Sequence, residues 1–332
     1  MHSIVECVPN FSEGRKKEVI SAIVHEIESV SGTKLLDVDP NPDYNRTVIT
    51  FVGAPESIVE SAFQATRRAT ELIDMQKHRG EHPRIGATDV VPFIPVSNVT
   101  MRECVDLAHQ YGKRIGEELR IPVYLYEEAA TRPERKNLAE IRKGEYEGLL
   151  EKLRDPNWIP DYGPSTFNPR SGATVTGARF FLIAYNVNLS TNDKTIAEEI
   201  ARRIRESGKM QKDAKGEVQK IPGALKAVKA KGFLLEAHNI AQVSINLTNY
   251  EITPPHVAFE EVRKEAESLG VKVIGSEVVG LIPKNALLKA GRFIAKKDEM
   301  REKELIERAI AYLGLSQLGE FKPEEKIIEY RI

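Results

Sequence analysis

The stretch TKLLDVDPNPDYNRTVITFVG, residues 33–53, decides the fold of the first half of the chain. Apolar and polar residues alternate on either side of a turn rich in Pro, Asn and Asp, which predicts paired strands at 33–39 and 46–53. Short apolar runs predict two more strands, at 3–8 and 89–96. Apolar residues spaced by three and four fill the gaps and predict helices there. The predicted order is strand, helix, strand, strand, helix, strand.

The same order of elements recurs in the second half of the chain. The predicted strands and helices lie at 179–189, 193–206, 232–239, 240–249, 254–269 and 271–282. A βαββαβ unit used twice is typical of an α+β protein with two tandem ferredoxin-like sandwich subdomains, each an antiparallel sheet covered by helices on one face. We expect one subdomain over 1–178 and another over 179–332, with a cleft or tunnel between them. The alternative is one continuous α/β domain.

The segment between the two units, residues 129–177, fits neither of them. It starts with the charged, helix-like stretch RPERKNLAEIRKGEYEGLLEKL (132–153) and continues with DPNWIPDYGPSTFNPRSGAT (155–174), which shows almost no periodicity. Long irregular segments inside compact proteins are often functional. Three aromatic residues make it more apolar than a solvated linker requires: Trp158, Tyr162 and Phe167.

Composition excludes several classes of protein. Lys and Arg number 48 against 49 Asp and Glu, so no excess of positive charge favours nucleic acid as a partner. No charged leader precedes an apolar run at the start, and no stretch approaches the ~18 apolar residues of a membrane span. We therefore expect a cytoplasmic protein that does not bind a membrane. Cys7 and Cys104 lie far apart and are expected to be buried thiols.

Two histidines fall in HRGEHPRIGATDVVPFIPV, residues 78–96. The spacing of His78 and His82 would allow shared metal ligation on a helix, but Gly80 and Pro83 argue against a helix there. No metal is expected. A histidine on a charged loop is suited to general acid–base catalysis, because the unperturbed pKa of imidazole, ~6.5, lies near neutral pH.

Four other short motifs bear on the kind of site. PNFSEG (9–14) and DPNPDYNRT (39–47) follow strands, where polar side chains could enter a cleft, although turn formation alone would also explain them. SGATVTGAR (171–179) lacks the spacing and lysine of a phosphate-binding loop, and GSEVVG (275–280) is no dinucleotide fingerprint. No nucleotide cofactor is expected.

Several long motifs together, in this order along the chain, resemble the formiminotransferase domain of formiminotransferase-cyclodeaminase. They are PNFSEG, LLDVD with NRTV, GEHPRIGATDVVPFIPV, YGPSTFNPRSGATVTGARFFLIAYNVNL and IAQVSINLTNYEIT. The resemblance runs from about residue 3 to the closing KPEEKIIEYRI. It implies a folate-dependent transferase with two ferredoxin-like subdomains and a substrate tunnel between them. Because the chain ends where that domain ends, a separate polypeptide is expected to supply any cyclodeaminase.

The resemblance also implies the site residues. The histidine of the GEHPR motif, His82, matches the catalytic proton carrier of the family, and Asp39 matches a polar position near the site that could orient or charge-stabilise the imidazole. The folate-binding stretch of the family matches Gly163, Pro164, Ser165, Thr166, Phe167, Asn168, Pro169, Arg170, Ser171 and Gly172. Carboxylate groups of glutamate and folate call for cationic partners. Candidates for binding substrate are Asn10, Arg46 and Arg84, with Arg170 in the folate-binding stretch.

The function implied is transfer of the formimino group from N-formiminoglutamate to N5 of tetrahydrofolate, the co-substrate, in histidine degradation and one-carbon metabolism. One alternative is a glutamate formyltransferase acting on 5-formyltetrahydrofolate. Another is a folate-binding or regulatory protein without catalytic activity. A homodimer is the expected assembly, because a half-buried sheet offers a face for pairing.

Overall fold

A computed structural model describes residues 3–42, 44–212, 218–295 and 301–332. The chain divides into two compact units, Met1–Arg179 and Phe180–Ile332. Each unit contains a β-sheet covered by helices, with strands and helices alternating along the chain. The predicted fold class, α+β with two tandem subdomains of sheet and helix, is confirmed.

The first unit contains the βαββαβ arrangement predicted from residues 3–96. Its elements are β1 (Ile4–Cys7), β2 (Asn10–Phe11), α1 (Lys17–Glu28), β3 (Thr33–Asn41), β4 (Arg46–Gly53), α2 (Pro55–Leu72) and β5 (Thr88–Ser97). Strand β1 lies within the strand predicted at 3–8, and the short β2 was not predicted; both lie between β4 and β5. Strand β3 pairs with the outer side of β4, and all these pairings are antiparallel. Fully buried side chains such as Ile23, Phe51 and Phe93 form the core between this sheet and its helices.

The sheet of the first unit continues beyond this arrangement. Three more elements follow in the chain: α3 (Met101–Glu118), β6 (Val123–Glu127) and β7 (Thr174–Ala178). Strand β7 pairs in parallel with β5 on one side and with β6 on the other, which makes a mixed sheet of seven strands. The prediction of a purely antiparallel sheet was wrong for this unit. Strand β7 was not predicted from the sequence, because it is short and its pairing partners lie far away in the chain.

The charged stretch at 132–153 forms two short helices instead of one long one, α4 (Leu138–Arg142) and α5 (Leu149–Arg154). The backbone between them takes the left-handed conformation at Gly144 (φ +89°) and Glu145 (φ +54°), which ends α4. Buried residues of both helices pack against the face of the sheet opposite α2 and α3. This second cluster includes Tyr124, Ile141, Leu149, Leu153 and Val175.

The second unit contains the other predicted βαββαβ arrangement. Its elements are β8 (Ile183–Leu189), α6 (Lys194–Ile204), β9 (Lys209–Lys212), β10 (Val218–Ile221), β11 (Val228–Leu235), β12 (Ile240–Leu247), α7 (Pro255–Ser268), β13 (Val273–Val279), α8 (Lys284–Ala295), α9 (Glu302–Leu313) and α10 (Pro323–Lys326). The antiparallel sheet has the order β11–β12–β8–β13. The strand predicted at 232–239 begins and ends four residues earlier, because a 3-10 turn over Glu236–His238 and a left-handed Asn239 interrupt it.

Candidate active site

Several strand ends meet at one end of the sheet in the first unit. Strand β1 is antiparallel to both β4 and β5, so those two strands run in the same direction, and β7 is parallel to β5. Their first residues, Arg46, Thr88 and Thr174, therefore lie at the same end. Strand β3 ends there with Asn41 opposite Arg46, and Asn10 of β2 lies between β4 and β5. Polar residues far apart in the sequence are thus brought together.

His82 lies on the loop between α2 and β5, where the structure has no helix. Its Nδ1 is 2.7 Å from the carbonyl oxygen of Pro83, a contact that assigns the ring proton to Nδ1 and leaves the lone pair on Nε2. The imidazole is partly buried, and its ring centroid lies 5.9 Å from that of Tyr44. Burial, followed by the positive charges of Arg46 and Arg142, lowers the pKa of His82 to about 4. The ring is therefore neutral at neutral pH, with Nε2 available as a base.

Arg46 is held by the side chain of Asn10. The Nε of Arg46 donates to Oδ1 of Asn10 at 2.9 Å, and Nη2 contacts the same oxygen. Asn10 is buried, and its Nδ2 donates to the carbonyl of Val8 at 3.0 Å. Burial lowers the pKa of Arg46, and the nearby charge of Arg142 lowers it further. Both polar groups of Asn10 are thus bonded within the protein, and Asn10 positions Arg46.

Asp89 joins the His82 loop to helix α4. The register between β2 and β5 pairs Asn10 with Val90 and then Phe11 with Thr88, so Asp89 is the extra residue of a bulge. Bulges redirect a side chain and occur often beside active sites. Oδ1 of Asp89 accepts from the Ile85 N–H at 2.9 Å, and Oδ2 forms an ion pair with Arg142.

Arg142, on α4, is a site residue that the sequence analysis missed. Its side chain is 14% exposed, and its Nε is buried without a hydrogen-bond partner among the described residues. The one sequence signal that could have drawn attention to it was the Ile141–Arg142 pair, an apolar residue followed by a cation inside an otherwise polar segment. That signal is too common to have singled it out.

Asp39 is exposed on β3, opposite Val48 of β4. Within the described part of the chain, no hydrogen bond joins Asp39 to His82. Its charge instead acts on Arg46, where it favours the protonated guanidinium. The structure therefore brings Asp39 to the same end of the sheet as His82 without the carboxylate–imidazole contact that orients a catalytic histidine in a triad.

Arg84 is buried and is bonded entirely to other protein groups that the structure describes. Its Nη1 donates to Glu145 at 2.9 Å and to Glu147 at 2.8 Å, and its Nη2 donates to Glu147 at 2.7 Å. Its Nε donates to Nδ1 of His78 at 3.2 Å, while Nε2 of His78 is 2.9 Å from the carbonyl of Asn45. These contacts, which we call the Arg84 clamp, tie the two ends of the His82 loop to the turn between α4 and α5. They occupy the groups that would otherwise bind a substrate carboxylate.

The candidate folate-binding stretch, Gly163–Gly172, crosses the same end of the sheet from β6 to β5. Tyr162 forms a β-bridge with Val123 just before the stretch, and Gly172 forms one with Gly86 at its end. Both Gly163 and Gly172 have positive φ, +76° and +67°. A Cβ on Gly172 would lie 2.2 Å from the carbonyl oxygen of Ile85, so only glycine fits this close approach. The stretch is thus fixed at both ends.

The middle of the stretch presents polar and aromatic groups. Ser165 and Thr166 are exposed, and the Phe167 ring packs against Tyr146 with centroids 5.5 Å apart. Arg170 donates from Nε and Nη2 to two carbonyl oxygens at the end of α2, at 3.3 and 2.6 Å. Oδ1 of Asn168 accepts from the backbone N–H groups of Arg170 and Ser171, and these two hydrogen bonds form a turn.

Among residues 3–42, 44–212, 218–295 and 301–332, no cluster of three or more His, Cys, Asp or Glu side chains is arranged to hold a metal ion. No helix in those ranges is both long enough and apolar enough to cross a membrane. Cys7 and Cys104 are free and buried, as predicted.

Two family models match the chain. The model described as the N-terminal subdomain of the formiminotransferase domain matches residues 4–179, and the one described as the formiminotransferase domain matches residues 184–332. The chain belongs to the formiminotransferase family. The family predicted from the sequence motifs is therefore confirmed.

Curated relatives cover the chain at high identity. Formimidoyltransferase-cyclodeaminase of Gallus gallus is 52% identical over 335 residues, which is 100% of this chain but 60% of that protein. Glutamate formimidoyltransferase of Streptococcus pyogenes serotype M1 is 47% identical over 90% of this chain and 95% of its own length. The enzyme of the same name from Thermoplasma acidophilum is 47% identical over 92% and 97%. The chain thus spans about 60% of the length of the longer relatives.

Proposed function

We propose that this chain transfers the formimino group of N-formiminoglutamate to N5 of tetrahydrofolate, giving 5-formiminotetrahydrofolate and glutamate. The observation that carries the proposal is the neutral His82, with Nε2 unprotonated, within reach of the charges of Arg46 and Arg142. Support comes also from the two relatives named glutamate formimidoyltransferase, which match nearly along their whole length.

His82 does the proton transfer that this reaction requires. A bond forms between N5 of tetrahydrofolate and the formimino carbon, and the bond from that carbon to the glutamate nitrogen breaks. N5 loses one proton and the departing nitrogen gains one, so a single group can accept the first and deliver the second. Nε2 of His82 is that group, and general acid–base catalysis of this kind contributes typically ~10²–10⁴-fold in rate.

The low pKa of His82 suits both halves of this transfer. An imidazole with a pKa of about 4 is unprotonated at neutral pH, so it is ready to accept a proton from the amine that becomes acidic on attack. The imidazolium that forms is then a strong acid beside two guanidinium groups. It gives its proton readily to the departing glutamate nitrogen, which completes the cycle.

The stretch Gly163–Gly172 is proposed to bind tetrahydrofolate. The partly exposed Phe167 ring, packed against Tyr146, gives an apolar surface for a flat ring system, and exposed Ser165 and Thr166 supply hydroxyl groups. Arg170 supplies a cation for the carboxylates of the folate tail. Much of the acceleration would come from holding the two substrates in contact, where effective molarities are large.

The remaining candidates take supporting roles. Arg46 is proposed to bind a carboxylate of the donor, with Asn10 holding its guanidinium in place. Asp39 is proposed to act through its charge on Arg46. Arg84 is proposed to hold the His82 loop, since its N–H groups are bonded within the clamp. The subdomain over 1–178 would then supply both the proton carrier and the folate-binding stretch.

The test is release of glutamate from N-formiminoglutamate by the purified protein, with and without tetrahydrofolate. A parallel reaction supplies glutamate with 5-formyltetrahydrofolate. We expect folate-dependent release that falls by ~10²–10⁴-fold in His82→Ala. The matched control is His25→Ala, since His25 is exposed on α1, and it should keep full activity.

The other outcomes contradict the proposal. Turnover in the formyl reaction alone would make the protein a glutamate formyltransferase. Failure of both reactions, with tetrahydrofolate still bound in a calorimetric titration, would make it a folate-binding protein without catalytic activity. Full activity in His82→Ala would remove the proton carrier from the mechanism.

A further inference from the structure

Two guanidinium groups, those of Arg46 and Arg142, lie near enough to His82 for their charges to act on it. Asn10 holds Arg46 from β4, and the residue paired with Asn10 on β5 is Val90, whose neighbour Asp89 holds Arg142. Each arginine is therefore fixed by its own partner, and the two partners lie on adjacent strands. The charge of Arg142 disfavours protonation of Arg46 and, after burial, lowers the pKa of Arg46.

Two like charges held together in a partly buried place are costly unless an anion lies between them. Of the two carboxylates whose charges act on Arg46, Asp89 is buried, and its two oxygens are already occupied by Ile85 and Arg142. The second carboxylate near Arg46, that of Asp39, is exposed. The Nε of Arg142 is a buried donor without a described partner. The site thus holds two guanidinium groups, one buried carboxylate and one buried donor without a described acceptor.

We infer that Arg142 and Arg46 together bind a carboxylate group of the amino-acid donor, beside the proton carrier. Arginine suits this role because its planar fork of N–H groups matches the two oxygens of a carboxylate. The inference depends on the proposed function for the identity of the donor as N-formiminoglutamate. It goes beyond that function by assigning Arg142 and by naming the group of the substrate that is recognised.

Occupation of this site would also change His82. The groups that act on its imidazole are Arg46 from β4, Arg142 from α4 and Asp89 from β5, together with the Pro83 carbonyl on its own loop. A bound carboxylate offsets the two cations, so the pKa of His82 should rise when the donor or product is present. The proton carrier would then become a stronger base only in the substrate complex.

The first test compares Michaelis constants. Arg142→Gln should raise KM for N-formiminoglutamate by about 10- to 100-fold, the loss expected for charge-assisted hydrogen bonds, and leave KM for tetrahydrofolate within about threefold. Arg142→Lys should recover part of the loss, because it restores the charge without the fork. Arg154→Gln is the matched control, since that arginine is exposed and pairs with Glu151 one turn earlier on α5.

A double variant separates binding from a structural role. Arg142→Gln leaves Asp89 buried without its ion-pair partner, and Asp89→Asn/Arg142→Gln removes that unpaired charge. If the double variant recovers the wild-type KM for N-formiminoglutamate, Arg142 acts only through Asp89 and the inference is overturned. We expect the double variant to fold as stably as the wild type and still to bind the donor poorly.

The second test does not require turnover. The probe is L-glutamate, and the readout is the pKa of the His82 ring followed by NMR titration of its imidazole protons. Glutamate should raise this pKa in the wild type and in Arg154→Gln, and should not raise it in Arg142→Gln. Glutamine, which keeps only the α-carboxylate, and isoglutamine, which keeps only the γ-carboxylate, test which carboxylate is recognised.

The outcomes distinguish this inference from the proposed function. An inactive wild type whose His82 still responds to glutamate through Arg142 would remove the proposed function and keep the carboxylate site. An active wild type with Arg142→Gln unchanged in both KM and the His82 titration would keep the proposed function and remove the carboxylate site.

Discussion

Replacing Arg84 with Met tests whether Arg84 holds the His82 loop or binds substrate. Methionine keeps most of the apolar contact of the arginine stem but removes every hydrogen bond that the Arg84 side chain makes in the clamp. The loss leaves Nδ1 of the buried His78 without a partner, which costs about 1–3 kcal/mol. The side chains of Glu145 and Glu147 are 42% and 59% exposed, so water replaces Arg84 and each lost pair costs no more than about 1 kcal/mol. We expect a total loss of about 2–4 kcal/mol.

The assay is urea unfolding followed by tryptophan fluorescence. Trp158 is the single tryptophan of the chain and packs in the second core cluster of the first unit, so it reports the unit that contains the clamp. Arg154→Met is the control, and it should cost less than about 0.5 kcal/mol because its side chain is 66% exposed. An Arg84→Met protein of unchanged stability, with KM for N-formiminoglutamate raised more than about tenfold, would refute the clamp and restore Arg84 as a substrate ligand.

Three further predictions follow from the pKa, backbone and burial of single residues. The base form of His82 is required, and its pKa is about 4, so kcat/KM should stay level from neutral pH to about pH 5 and fall tenfold per pH unit well below pH 4. A fall in kcat/KM that begins near pH 6.5 would contradict this prediction. Gly163→Ala should lower the free energy of unfolding, measured by urea titration, by more than about 1 kcal/mol, because φ is +76° and the added Cβ would lie 2.2 Å from a carbonyl oxygen. Gly319→Ala is the control and should change the free energy little, because open space surrounds Gly319. The thiols of Cys7 and Cys104, both buried and with raised pKa values, should react with a thiol-specific reagent only after denaturation; rapid reaction of either in the native protein would contradict their burial.

The elements with strong local patterns were predictable from the sequence. The strand pair at 33–39 and 46–53 corresponds to β3 and β4, because alternation and a turn of Pro and Asn specify a hairpin without help from distant residues. The helices expected over 193–206 and 254–269 correspond to α6 and α7, because their apolar residues recur at helical spacing within a local stretch of sequence. His82 could be identified as a candidate proton carrier because its loop carries the GEHPR motif, which resembles that of the family.

The rest depends on contacts between distant parts of the chain. Arg142 lies on a five-residue helix and gains its importance from Asp89, 53 positions earlier in the chain, and no local pattern encodes that pairing. Arg84 looked like a free cation in the sequence, because neither the distance to Glu147 nor the burial of His78 can be read from spacing. Residues far apart that meet through sheet register and loop packing require the fold before their chemistry can be stated.

Strand β7 is the last strand of its sheet to appear in the chain, yet it lies between β5 and β6. A growing polypeptide that has emerged only as far as β6 therefore holds a strand with no neighbour to pair with, exposing apolar side chains such as Leu125 that the finished unit buries. Some fifty residues must still be synthesised before Thr174–Ala178 arrives and closes the gap. The stretch Gly163–Gly172 is attached directly to that arriving strand, so the last step in completing the sheet is also the step that fixes the proposed folate-binding residues in position. Truncation anywhere before residue 178 should thus prevent both completion of the sheet and placement of the proposed folate-binding residues. While the residues between β6 and β7 are being synthesised, this unit depends most on protection from aggregation.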